Sequence, residues 1–328
     1  MLASADLPYS GYVESDGALG VPNLGKLSDI TAMLDGSTRM RVWQASASTW
    51  RADVLSDAGE RDTYQLRGKT YLWDSGGELL TEVTGNQPIR PPRAADLLPP
   101  ALALRLLHDA EGTARITSLP AERIAGRDAG GLRLLPTDPA TTIGQIDIWA
   151  DSVNGLPLQV EITGRGSGQV VLASRFLQVA FNRPSGQVLT PAHGPGTGFT
   201  AASPADIANA AGDLDDEQLP GSLAGRSRIP SPPAFQEIGI YGRGLSTFAV
   251  ITLSGHSGRR DLRSAERNGG TPLTFAKGFG VQIATPLITV VLAHPYDSFD
   301  TFLIAGMASP QLLAKAAAQL AAEPDRDL

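Results

Sequence analysis

The stretch Ile146-Asp-Ile-Trp-Ala-Asp151-Ser-Val-Asn154-Gly155-Leu156-Pro-Leu-Gln-Val-Glu-Ile162 decides how the chain is read. Ile146, Ile148 and Ala150 alternate with Gln145, Asp147 and Trp149. Leu156, Leu158, Val160 and Ile162 alternate with Pro157, Gln159 and Glu161. Successive side chains of a strand point to opposite faces, so each run has one apolar face and one wetter face. That is the pattern of an antiparallel pair with one side open to water. Asn154-Gly155 between the runs supplies the left-handed positions of a hairpin turn.

The same texture extends from Tyr9 to Phe181, with further strands expected near Arg39, Trp50, Asp62, Thr70, Leu79, Ala114, Ala129 and Gln169. About ten strands in a meander predict a large curved sheet or partial barrel. Arg93 to Asp109 breaks the rhythm. Leu97, Leu98, Leu102, Leu106 and Leu107 recur at helical spacing, interrupted by Pro99-Pro100. Proline disfavours helix at the residue before it and suits the first helical turn. A short turn followed by a helix from about Pro100 is expected, with its leucine stripe buried on the concave side of the sheet.

Residues 185–233 are rich in Pro, Gly and Ser and carry the acidic patch Asp213 to Glu217. They are expected to form a linker, with a short helix opened by Ser203-Pro204 and ending near Ala211. Beyond Ala234, the runs Leu245 to Leu253, Leu287 to Ala293 and Phe302 to Met307 are almost uniformly apolar. Such runs suit strands buried on both faces. Ser309-Pro310 then opens a helix with Leu312, Leu313, Ala316 and Leu320 on one face. The expected fold class is α+β: a large antiparallel half-barrel sheet wrapped on helices over residues 1–184, and a smaller α+β domain over residues 234–328.

Composition narrows the function. The chain has 328 residues, 42% of them hydrophobic, which is enough for two packed cores. Net charge is −7, so the basic footprint of a nucleic-acid binder is missing. Zero cysteines remove disulfides, thiolate metal sites and Cys nucleophiles. The four histidines His108, His193, His256 and His294 are too far apart for a helical metal pair, and the acidic patch lacks calcium-loop spacing. No metal site and no cofactor are expected.

Ser254-Gly-His-Ser-Gly258 resembles a nucleophile elbow, but position 259 is Arg where the elbow spacing from Ser257 needs Gly. It is read as a turn after the strand ending at Leu253, and a hydrolase built on Ser257 is set aside. Gly164-Arg-Gly-Ser-Gly168 fails the phosphate-loop spacing and is read as a hairpin between strands. Trp43, Trp50, Trp73 and Trp149 all fall on expected strands. Core packing accounts for them, or some line an apolar cavity. The candidate lining is Trp43, Trp73, Leu98, Leu102 and Leu106, with no catalytic residue.

Three strings converge on one family. YSGYVES (Tyr9 to Ser15), IAGRDAGGLRLLPTD (Ile124 to Asp138) and IDIWADSVNGLPLQVEI (Ile146 to Ile162) resemble successive strands of the RseB/LolA-like superfamily. SRFLQVAFNRP (Ser174 to Pro184) resembles the strand that closes the unit. The resemblance covers a little over half of the chain. It implies a half-open barrel closed by helices over an apolar cavity, with no transferable catalytic motif. It further implies an extracytoplasmic protein of the cell envelope. MLASADLPYSGY has neither the basic nor the apolar region of a signal peptide, so the resemblance implies a leader already removed. The family includes periplasmic lipoprotein carriers and a two-domain regulator that holds an anti-sigma factor. Two functions follow as expectations. One is carrying or sensing a lipid or lipoprotein acyl chain in the cavity. The other is binding an anti-sigma or other membrane-anchored regulator or transporter through the C-terminal domain.

Overall fold

The computed structural model describes residues 1–20, 34–56, 59–83, 92–191, 197–202, 219–230, 238–253 and 255–322. The helix expected over 203–211 and the acidic patch lie outside these residues. Twelve strands form the first sheet: β1 (Tyr9–Ala18), β2 (Asp35–Ser46), β3 (Thr49–Ser56), β4 (Gly59–Leu66), β5 (Lys69–Asp74), β6 (Leu79–Val83), β7 (Ala114–Ile124), β8 (Arg127–Pro136), β9 (Ile143–Asp151), β10 (Pro157–Gly164), β11 (Val170–Ala180) and β12 (Gly198–Ala202). Their order is β12-β6-β5-β4-β3-β2-β1-β11-β10-β9-β8-β7. β1 is the hinge of this order. It pairs with β2 on one side and β11 on the other, so two meanders share a central strand.

The hairpin quoted above is present, with Val160 opposite Ile148 and Ile162 opposite Ile146. Its turn differs from the expectation in one respect. Only Gly155 takes a left-handed backbone, at φ 74°. Asn154 acts through its side chain, whose Oδ1 accepts from the Leu156 amide, while Asp151 Oδ1 accepts from the amides of Val153 and Asn154. The Gly164–Gly168 string joins β10 to β11, as read.

A 3-10 turn at Ala94–Leu97 leads into helix α1 (Pro99–Asp109), which has proline at its start. α1 lies against β10 and β11. The stretch expected as a linker is partly strand. Gly198–Ala202 adds to the sheet edge as β12, parallel to β6, so the large sheet is mixed rather than purely antiparallel. A parallel edge strand needs a long crossover, and no local sequence period announces it.

The second sheet has the order β13-β14-β15-β16-β20-β19-β18-β17. Its strands are β13 (Ser222–Leu223), β14 (Arg226–Ile229), β15 (Ile238–Tyr241), β16 (Phe248–Leu253), β17 (Thr271–Phe275), β18 (Gly278–Ala284), β19 (Thr289–Pro295) and β20 (Thr301–Gly306). Helix α2 (Gly255–Arg267) covers one face and helix α3 (Pro310–Ala322) the other. Leu313, Ala316, Ala317 and Leu320 of α3 share a core with Val291, Ala293, Phe302 and Ile304. Leu262 and Ala265 of α2 share another with Leu253, Val281, Ile283 and Leu292. Two covered faces explain the uniformly apolar run in β19. The segment Gly255–Gly258, expected as a turn, is instead the first turn of α2. Its glycines permit close approach: a Cβ on Gly258 would meet Thr301 at 2.4 Å.

The units are clasped by the β8–β9 connection. Asp138 accepts hydrogen bonds from Ser246 Oγ at 2.6 Å and Arg226 Nη2 at 2.8 Å. Burial opposes its charge, but Ser246, the Ala140 amide and Arg226 outweigh burial and hold Asp138 below the usual carboxylate range. Thr141 Oγ1 sits 3.0 Å from the carbonyls of Leu245 and Met307. Leu245 and Leu287 of the second unit enter the core of the first.

Candidate functional site

Leu98 precedes α1, and Leu102 and Leu106 follow along one face of it at intervals of about one turn. All three are buried, and they share one core with Val13, Met40, Val42, Val160 and Phe176 on the inner face of the first sheet. Ser174 Oγ donates to the Leu97 carbonyl at 2.5 Å and fixes the entry to α1. The leucines named from sequence therefore stand together, against the sheet face where they were expected.

Trp43 and Trp73 stand elsewhere. Neighbouring residues of a strand point to opposite faces. Val42 enters the inner core, so Trp43 points outward. Register carries this across the sheet: Trp43 is opposite Arg51, and Arg51 is opposite Tyr64. One pair along, Asp53 is opposite Asp62, and Asp62 is opposite Trp73. Trp43 and Trp73 thus share the outer face with Arg51, Asp53, Asp62 and Tyr64, and both are half-buried there.

This outer face holds a buried ion network. Arg51 Nε lies 2.5 Å from Asp53 Oδ1, and Arg51 Nη2 lies 2.9 Å from Asp62 Oδ2 and 3.2 Å from Glu60 Oε1. The guanidinium also sits 5.3 Å from the Trp43 ring centroid and 4.9 Å from that of Tyr64. Tyr64 donates its hydroxyl to Asp62 Oδ2 at 3.1 Å. Asp53 is 1% exposed and Asp62 is 4% exposed. Burial pushes Asp53 up to about 7 and Asp62 up to about 6, against the pull of Arg51 and with help from repulsion among the carboxylates. The Asp62 Oδ1 atom is buried with no hydrogen-bond partner among the described residues. Asp53, Glu60 and Asp62 bring carboxylate oxygens within 4.8 Å of one another, a spacing that suits a cation. Arg51 already meets all three, so the network carries its own cation. Arg51 Nη1 also donates to the Val188 carbonyl at 3.4 Å, tying down the segment that follows β11.

The network was missed in sequence because its members come from separate strands. Arg51-x-Asp53 and Asp62-x-Tyr64 each put two polar side chains on one strand face. In a sheet expected to have a wet side, that pattern reads as solvent-facing. It is the strand pairing that brings Arg51, Asp53, Asp62 and Tyr64 together.

Solved structures match this arrangement across both units. A structure titled as MucB in complex with MucA(peri) superposes with a TM-score of 0.53 at 16% identity, covering 96% of this chain and 94% of that one. The chain shares its fold with MucB. The Pseudomonas aeruginosa MucA/MucB complex gives 0.52 at 16% identity, with the same coverage of both chains. MucB alone gives 0.51 at 15%, over 96% and 93%. The resemblance to the RseB/LolA-like superfamily read from the first unit therefore holds as a likeness of fold, and it extends through the second unit. No family model and no curated protein matches the sequence.

Proposed function

We propose that the chain is an extracytoplasmic binding protein whose ligand is a segment of a membrane-anchored regulatory protein of the anti-sigma kind. The observation that carries this reading is the likeness to MucB over 96% of the chain, in structures where MucB is bound to MucA(peri). The second unit supports it. A second sheet is clasped onto the first core through Asp138, Thr141 and Leu245, and it offers a protein partner further surface. Neither sheet is assigned a catalytic role.

A second reading keeps the acyl chain of a lipid or lipoprotein as ligand. It is favoured by the apolar inner face under α1, where Leu98, Leu102 and Leu106 would line the site. Because those leucines are already buried, α1 would have to lift to admit a chain. Trp43 and Trp73 would lie outside this lining.

Native mass spectrometry of the intact protein, recovered from the envelope of its source, separates the two readings. A 1:1 adduct with a polypeptide from a membrane-anchored protein is the expected result. Lipid adducts alone would replace the first reading by the second. Unliganded protein throughout would count against both.

A further inference from the structure

We propose that the outer face of α2, with the aromatic side chains beside it, docks the protein onto an anionic lipid bilayer. α2 carries Arg259, Arg263 and Arg267 at every fourth position, all exposed, on a chain whose net charge is −7. Each of the three donates Nε to a carbonyl four residues earlier, which lays the guanidinium back along the helix. None of them has a carboxylate partner among the described residues. Asp261 lies 3.9 Å from Arg260, and Glu266, three residues on from Arg263 and next to Arg267 in sequence, shares their surface. The helix still keeps a net positive charge.

The aromatic row lies on the same side of the second sheet. Phe279 and Val281 point to one face of β18, and Val281 belongs to the core under α2. Phe279 is 42% exposed, Tyr296 59% and Phe299 78%. Phe279 and Tyr296 have ring centroids 6.1 Å apart, and the Arg259 guanidinium is 6.0 Å from the Phe299 centroid. Phe299 thus adjoins the arginine stripe at Arg259, and Phe279 and Tyr296 pair on the same side of the sheet. Rings that project singly, with basic groups beside them, suit shallow insertion between headgroups. Seating a peptide calls for anchors sunk in a pocket. Asp297 is the exposed acid within the aromatic loop and opposes the attraction locally.

The proposal does not depend on which ligand the protein carries, and vesicle co-sedimentation of the intact chain tests it. Binding to vesicles containing phosphatidylglycerol, little binding to phosphatidylcholine alone, and loss of binding at high salt are expected. Each basic residue at such a surface changes partitioning roughly fivefold, so the double variant Arg263→Gln, Arg267→Gln should weaken it roughly 25-fold. Both residues are exposed, so the fold should be unaffected. Phe299→Ser should weaken it further, and the emission of Phe299→Trp should shift to the blue on adding the anionic vesicles. Equal sedimentation with both vesicle types would overturn the proposal, as would partitioning unchanged by the double variant. Binding to polyglutamate without binding to vesicles would assign the surface to an acidic polypeptide instead.

Discussion

Met40, Val42 and Ala52 alternate with Trp43, Arg51 and Asp53 along the same two strands, yet the two faces they build are buried by different means. The inner face is apolar and is closed by the leucines of α1. The outer face sets one guanidinium among three carboxylates, two of them buried, and Arg51 also holds the segment after β11 through the Val188 carbonyl. Burying apolar surface is favourable in itself. Burying charge is tolerated only while each charge keeps its partners. The inner face should therefore respond to lost volume, and the outer face to lost partners and to pH.

The largest effect is expected at Arg51. Arg51→Leu leaves Asp53, Glu60 and Asp62 facing one another, and should cost ~3–5 kcal/mol in urea unfolding at pH 8. The cost should shrink toward pH 5 as the carboxyls take up protons. A small, pH-independent cost would show that the network is solvated. On the inner face, Leu106→Ala should cost ~2–5 kcal/mol, because the core relaxes only partly around the missing volume. A smaller cost, together with weaker binding of a fluorescent fatty acid, would make Leu106 a ligand-lining residue.

The pH dependence of the unaltered protein comes next. Asp53, up to about 7, and Asp62, up to about 6, keep protons in the folded state that ordinary carboxyls release near 4. The folded state binds more protons across that window, so stability should fall as pH rises from about 4 to about 7. A fall in stability between pH 5 and pH 7.5 is expected by thermal and urea unfolding, and Asp53→Asn should flatten the curve. The smallest effect belongs to Trp43→Leu, which removes the ring beside Arg51 and should cost ~1 kcal/mol. It should leave any acyl-chain binding under α1 unchanged, whereas Leu102→Trp should block it.

How much of this was legible in sequence follows from the same contrast. Period-two alternation in Ile146 to Ile162 specifies both strands and their apolar face, because each residue's environment is set by its own strand. The leucines of α1 are legible for the same reason, since helical spacing is local. β12 was not legible: it lies in a Pro- and Gly-rich stretch and pairs with a strand more than a hundred residues earlier. The start of α2 was hidden because Gly255 and Gly258 read as turn residues, although they are there to approach Phe299 and Thr301. The misplacement of Trp43 and Trp73 has a physical cause as well. Large aromatic side chains mark burial without marking which face is buried, and here the outer face buries side chains too.

The central claim is that this fold holds a segment of a membrane-anchored protein. It is tested most directly by crosslinking the intact chain in envelopes of its source, purifying the extracytoplasmic segment of the membrane protein recovered, and titrating the two calorimetrically. A saturable 1:1 complex of about micromolar affinity or tighter is predicted. No binding by any recovered segment, alongside saturable uptake of a fluorescent fatty acid, would contradict it.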